Sequence, residues 1–367
     1  MSDGPAAQQQ FSVGRGQAAR FLLILLAALA VWASVFWAIS DRLLTLGSAS
    51  LLGAVDLSGA AEFETKLEAF SKLEGTKAAV VGDSFVFGES MAPLAGRNWR
   101  SQTLDRQFEH CLRGDKTGQA KVANFGMNGL LPADMLAITR RLEAAGADMV
   151  IVNVNSRSMS ADFNDAANQY GRPWLKDARP ASFGLFGEAG AKLSLFKRLS
   201  YGGTPADWGH RIAGSAGAAF ADWTAPAVGD DLQVTLLKIK ARYKTASYLP
   251  EKSAQAAALK ELLAIPNVWA MRVIENPDLI QKVAGKSLRS SLDGEFAALV
   301  LASGAEARLL PAPDNLESAD FIDLVHVTGN GYQKYAQAAC QTISSRLAET
   351  RAKGRPTGHL HTNERQS

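Results

Sequence analysis

Lys77-Ala-Ala-Val-Val-Gly82-Asp83-Ser84 decides the fold class. The apolar run, rich in β-branched valine, reads as a buried strand, and the Gly-Asp-Ser that ends it reads as a turn. A serine at such a corner stands at the mouth of a parallel sheet, clear of the core. Working outward, Lys121–Phe125 reads as a second strand, ending in Asn124-Phe-Gly126-Met-Asn128-Gly129. Asp148–Val154 is a continuous apolar run, as expected of a strand buried on both faces. Asn267–Ile274 and Ala307–Leu310 read as two more. Helical spacing runs through Ala60–Leu73, Asn98–Leu112, Pro132–Ala145 and Tyr332–Leu347. Strands separated by helices imply an α/β fold with a doubly wound parallel sheet.

In such sheets ligands gather at the carboxyl ends of the strands. Ser84, Asn128–Gly129 and Asn155–Arg157 each fall just after a predicted strand, and His326 lies beyond the last one in a longer loop. Four separate regions thus converge on one rim. Between about 160 and 260 the pattern weakens. Trp174, Trp208 and Trp223 lie here among Gly202-Gly203, Pro205 and Pro226. This stretch reads either as an insertion forming a cap or groove wall or as an irregular surface excursion.

The 367 residues carry 47% hydrophobic and 20% charged content, ordinary for a globular protein. A net charge of +3 gives no footprint for nucleic acid. There is no zinc-spaced Cys/His cluster and no Walker-type glycine loop, so neither a metal nor a cofactor is expected.

Phe21 to Ile39 departs from this composition: FLLILLAALAVWASVFWAI carries no charge. At about 1.5 Å per residue such a helix spans roughly 28 Å, close to a bilayer core. Arg15 and Arg20 precede it, which places residues 1–20 in the cytoplasm. The competing reading is a cleaved signal peptide, although the apolar stretch is long for one. Either reading exports the chain beyond residue 40. The expected organisation is a loose cytoplasmic tail (1–20), a single-pass transmembrane helix (21–39), a stalk or docking element (40–75), a catalytic domain (76–350) with its insertion, and a loose tail (351–367). The two cysteines, Cys111 and Cys340, both fall on the exported side, where an oxidising compartment permits a bridge. Two unrelated buried thiols are the other reading.

A serine hydroxyl is a poor nucleophile until a neighbouring base takes its proton. Histidine suits that task, and a carboxylate on its other ring nitrogen fixes the tautomer. Of the five histidines, His110 lies in a predicted helix, His210 in the insertion, and His359 and His361 in the tail. Only His326 has an acidic neighbour, Asp323, at a spacing that sets a carboxylate against the ring. Ser84, His326 and Asp323 are therefore the candidate nucleophile, base and orienting carboxylate.

With these residues in place, the chain resembles the SGNH (GDSL-like) hydrolase superfamily. The first block is similar to Val81-Gly82-Asp83-Ser84-Phe85 with Phe87-Gly88-Glu89, the second to Asn124-Phe-Gly126-Met-Asn128-Gly129, and the last to Asp323-Leu-Val-His326-Val-Thr328 with Gly331-Tyr332. The resemblance implies a flavodoxin-like sheet, Ser84 as nucleophile, and an oxyanion hole using the N–H groups of Ser84 and Gly129. It covers about 76–158 and 265–347. The third block departs from the family's Gly-x-Asn-Asp. This chain has Val152-Asn153-Val-Asn155-Ser156-Arg157. Asn155 is the preferred third oxyanion donor, with Arg157 or Ser156 as alternatives, and Asn153 reads as a polar residue at the strand edge. In folds of this kind the first and last helices commonly share a face, which implies a Cys111–Cys340 disulfide.

The function implied is a serine esterase or O-acyltransferase in the bacterial inner membrane, facing the periplasm. It would act on ester groups, O-acetyl above all, of cell-envelope or secreted polysaccharide, with a membrane acyl-donor protein as partner. Two alternatives stand beside it. One is a lipid or thioester hydrolase, and the other a non-catalytic polysaccharide-binding subunit on a degenerate hydrolase fold.

Overall fold

The computed structural model describes residues 15–46, 51–55, 57, 59–113, 120–159, 247–248 and 254–352. Most of the insertion, with Trp174, Trp208, Trp223 and His210, lies outside them, as do His359 and His361. The chain divides into two compact units, Met1–Leu46 and Gly47–Ser367.

Among the described residues the first unit is one helix, α1 (Arg15–Leu46), which takes in the whole apolar stretch and begins six residues before it. Phe21, Leu23, Ile24 and Val31 are each more than 60% exposed. Among the described residues no helix is long and apolar enough to cross a membrane. In α1 the side chains are described only over residues 18–31 and at 34–35.

Among its described residues the second unit is built on four parallel strands: β1 (Lys77–Gly82), β2 (Lys121–Gly126), β3 (Met149–Val154) and β4 (Val268–Arg272). Their order is β2-β1-β3-β4. β1 and β3 are buried along their whole length, which is why both read as unbroken apolar runs. The chain steps one way from β1 to β2 and the other way from β2 to β3 and β4. Right-handed crossovers therefore put the β1–β2 helix on one face and the later ones on the opposite face. The first of these is α4 (Leu104–Leu112), and the later ones are α5 (Pro132–Ala144) and α6 (Ala254–Ala264). The reversal falls between β1 and β3, where the connections leaving their carboxyl ends diverge and open a crevice.

Several elements differ from expectation. Helix Asn98–Leu112 is broken at Thr103, whose extended backbone separates a 3-10 turn (Gly96–Gln102) from α4. The strand expected at Ala307–Leu310 is a 3-10 turn (Glu306–Arg308) with a single bridge, Leu309 to Ala270. Pro311 and Pro313 come next and cannot donate to a ladder, so the strand stops there. Helix α7 (Pro277–Ala302) is an addition to the expected elements. The last helix, α8 (Gly329–Ala352), starts within the expected Gly-Asn-Gly turn.

The segment read as a stalk contributes to this unit's core. Leu51, Leu52, Val55 and Leu57 are buried, as are Phe63 and Phe70 of α2 (Ala60–Ser71). The Asn124 N–H donates to the Leu52 carbonyl at 2.7 Å, and the buried Lys66 ammonium donates to the Gly53 carbonyl at 2.7 Å. Burial pulls the Lys66 pKa down to about 7, against the attraction of Asp105. Helix α8 packs on α4, and Cys111 and Cys340 join them in a disulfide with Cα atoms 6.2 Å apart. This is the pairing the shared face implied.

Candidate active site

Ser84 opens a one-turn helix, α3 (Ser84–Phe87), directly after β1. Asp83 caps it, its Oδ1 accepting from the Phe85 N–H at 2.9 Å, and Gly88 closes it in the left-handed region at φ 77°. Two glycines let this corner sit tightly on the sheet. A Cβ at Gly82 would stand 1.8 Å from the Asn153 Oδ1, and one at Gly126 would stand 2.3 Å from the Phe87 nitrogen. The Met127 N–H donates to the Gly82 carbonyl at 3.0 Å and so ties the end of β2 to the end of β1.

His326 arrives from the loop ahead of α8. Its Nε2 lies 2.7 Å from the Ser84 Oγ, and its Nδ1 lies 2.7 Å from the Asp323 Oδ2. With Nδ1–H donating to the carboxylate, Nε2 is left to accept the serine proton. The other Asp323 oxygen accepts from the N–H groups of Val325 and His326, at 2.9 and 2.8 Å. Burial acts to raise the Asp323 pKa, but the bonds and charge of His326, with these N–H donors, outweigh it and hold the carboxyl below its usual range. Ser84 and His326 are both partly exposed, so a substrate can reach them.

The loop is fixed from two sides. The buried Asp320 carboxylate accepts from the Glu317 N–H at 2.8 Å, from the Lys334 ammonium at 2.7 Å, and from the Asn330 amide. Phe321 and Val327 pair across the loop, and the Ile322 N–H donates to the His326 carbonyl at 2.8 Å. On the nucleophile side, the Tyr332 hydroxyl donates to the Phe85 carbonyl, and Phe85 packs edge-on against Tyr332 and Tyr335. Helix α8 thereby holds α3 and the histidine loop in one frame.

Asp320 gives the loop a pH dependence. Burial would raise its pKa, but the Glu317 N–H, Lys334 and Asn330 together leave it below the ordinary value. A folded pKa below the unfolded one adds stability above the unfolded value, near 3.9, and that contribution is lost as pH falls through the folded value. Asp320→Asn is therefore expected to cost about 1–3 kcal/mol at pH 7. The gap from the parent should narrow as the pH falls below the unfolded value, which urea unfolding at several pH values will read. A gap constant over that range would contradict this assignment.

The remaining rim residues follow the ends of β2 and β3, the two strands that flank β1. Gly129 sits two residues beyond Met127 with φ 67°, a left-handed turn that favours glycine. The Asn128 amide on this turn donates to the Glu89 carboxylate just past α3, at 2.6 Å. The Ser84 N–H occupies the first position of α3, where a helix offers no acceptor of its own. Asn155 comes just after β3 and is buried, its amide donating to the Asp83 Oδ2 at 3.4 Å. Ser156 is also buried, its hydroxyl donating to Glu275 in the segment that follows β4, at 3.2 Å. Arg157 lies in the next 3-10 turn, and its side chain is outside the described residues.

Asn153 overturns its sequence reading. β3 is an interior strand, and Asn153 is 1% exposed. Its amide donates to the Asp83 Oδ1 at 2.9 Å and its Oδ1 accepts from the Asp83 N–H at 3.2 Å. Strand periodicity alone could not show this, because the partner lies at the end of β1, seventy residues earlier. A polar side chain inside an otherwise apolar buried run was the available signal. Among the described residues no group of three or more His, Cys, Asp or Glu is placed to hold a metal.

No family model matches the chain, and no curated protein does. Similar solved structures include a carbohydrate acetylesterase family member from Sinorhizobium meliloti, at 12% identity and TM-score 0.35, covering 74% of this chain and 99% of that one. A lipase/acylhydrolase from Enterococcus faecalis aligns at 11% identity and TM-score 0.35, over 74% and 96% of the two chains. An acetylxylan esterase from Geobacillus stearothermophilus aligns at 14% and 0.33, over 75% and 94%. At these values the likeness assigns no activity, and the chemistry rests on the residues themselves.

Proposed function

We propose that this protein is a serine esterase or O-acyltransferase acting on ester groups, O-acetyl above all, of cell-envelope or secreted polysaccharide. The observation that carries the reading is the continuous hydrogen-bond chain from the Ser84 hydroxyl through His326 to Asp323, at 2.7 Å for each link. Ser84 Oγ attacks the ester carbonyl as its proton passes to His326 Nε2. Asp323 holds the ring and stabilises the imidazolium. The tetrahedral oxyanion is met by the N–H groups of Ser84 and Gly129 and by the Asn155 amide, donors fixed before the charge develops. Collapse expels the alkoxide, which takes the proton from His326 and leaves an acyl-serine. Water or a sugar hydroxyl then gives its proton to His326 and accepts the acyl group, and the departing Ser84 oxygen takes that proton back from His326.

The uncharged stretch Phe21–Ile39 acts, in this reading, as an anchor in the bacterial inner membrane. Arg15 and Arg20 stay on the cytoplasmic side and the catalytic unit faces the periplasm. The Cys111–Cys340 disulfide accords with an oxidising compartment. A membrane acyl-donor protein is the partner expected of a transferase. Full-length protein in detergent is expected to hydrolyse p-nitrophenyl acetate with a kcat/KM at least about tenfold above that for the dodecanoate. The reverse preference would favour a lipid substrate, and turnover of neither ester would leave the non-catalytic binding subunit as the better reading.

A further inference from the structure

We infer that Asn153 is a positioning residue for the nucleophile corner, acting through Asp83; the inference rests on the esterase reading of Ser84. At this place in the third block the resemblance implies glycine, which has no side chain to contribute. In this chain an amide fills the space, in the buried interior of the sheet. It meets Asp83 twice, with its Nδ2 2.9 Å from the carboxylate Oδ1 and its Oδ1 3.2 Å from the backbone nitrogen. The space exists because residue 82 is glycine, where any Cβ would collide with the Asn153 Oδ1.

The held carboxylate is central to the rim. Its Oδ1 also caps the helix that begins with Ser84, and its Oδ2 accepts from the Asn155 amide. Asp83 therefore sets the direction of the nucleophile on one side and of the third oxyanion donor on the other. Burying a carboxylate is costly without hydrogen bonds, and Asn153 supplies the Asp83 side chain with one of them. Released from Asn153, Asp83 would turn toward other donors, and both Ser84 and Asn155 would shift. Displacements of about 1 Å at a reacting centre cost up to about 100-fold in rate.

Two variants separate this role from simple packing. Asn153→Ser shortens the side chain and removes the amide. Asn153→Asp keeps the shape but sets a second carboxylate against Asp83, where like charges repel. The expected order of kcat on p-nitrophenyl acetate is parent, then Asn153→Ser, then Asn153→Asp. The serine variant should lose at least about tenfold in kcat, with KM within about threefold of the parent. If packing were the only contribution, the isosteric aspartate would be the better enzyme of the two. A loss under tenfold in Asn153→Ser, a loss confined to KM, or an aspartate variant equal to or faster than the serine variant would overturn the inference. Should Asn153→Asp fail to fold, judged by circular dichroism, the serine variant alone decides. Failure of the underlying reading shows separately, as a parent protein that hydrolyses no ester.

Discussion

Ser84→Ala protein, purified in detergent with the parent's circular dichroism spectrum, is expected to turn over p-nitrophenyl acetate about 10⁴ to 10⁶ times more slowly than the parent. Alanine removes only the hydroxyl that faces His326 Nε2 at 2.7 Å, so the fold should be spared. His326→Ala should lose a similar factor, and the double variant little more, because nucleophile and base act as one unit. Asp323→Asn should keep the loop closed yet present the wrong tautomer to the serine, for a loss of about 10⁴. Losses that multiply across these variants would mean that the three side chains do not work as a relay. A Ser84→Ala protein with the parent's rate would place the nucleophile elsewhere.

Loss of the disulfide is expected to have the largest effect on stability. Cys111 and Cys340 are 229 residues apart and join helix α4, the first major crossover helix, to the last helix, α8. Closing so long a loop removes much of the unfolded chain's freedom, worth about 5 kcal/mol in the chain-entropy treatment and commonly less when measured. The Cys111→Ser/Cys340→Ser protein should therefore unfold at a urea concentration roughly 1–2 M below the parent's. Catalytic competence in the folded fraction should survive, because neither cysteine takes part in the Ser84–His326–Asp323 chain. Equal midpoints would show that α8 holds to α4 by packing alone.

How far these features could be read in the sequence depended on where each one's partners lie. β1 and β3 were legible because burial on both faces leaves an unbroken apolar run. The serine corner was legible because Asp83, a helix cap, directly precedes the nucleophile it introduces. Asp323 and His326 were legible together because three residues bring them within one loop. Helix α7 was hidden although Asn276-Pro277 is a start signal, with Asn276 capping and Pro277 in the first turn. Its second half carries a buried stripe at helical spacing, Leu292, Phe296, Leu299 and Val300, while the Gly- and Ser-bearing first half masked its continuity. The contribution of residues 51–57 was hidden for a different reason. Their partners are Asn124, Lys66 and Arg100, each brought in by the fold and not by sequence proximity. Asn153 belongs to the same class, since its meaning appears only when β1 and β3 are laid side by side.

The central claim is that Ser84 is an activated nucleophile, and covalent labelling tests it most directly. Full-length protein treated with a fluorophosphonate should gain one adduct, seen by intact mass and mapped by peptide sequencing to Ser84. The adduct should fail to form in His326→Ala, because a serine without its base does not attack. A parent protein that takes no adduct while folded, or takes it at another residue, or labels equally well without His326, would contradict the account.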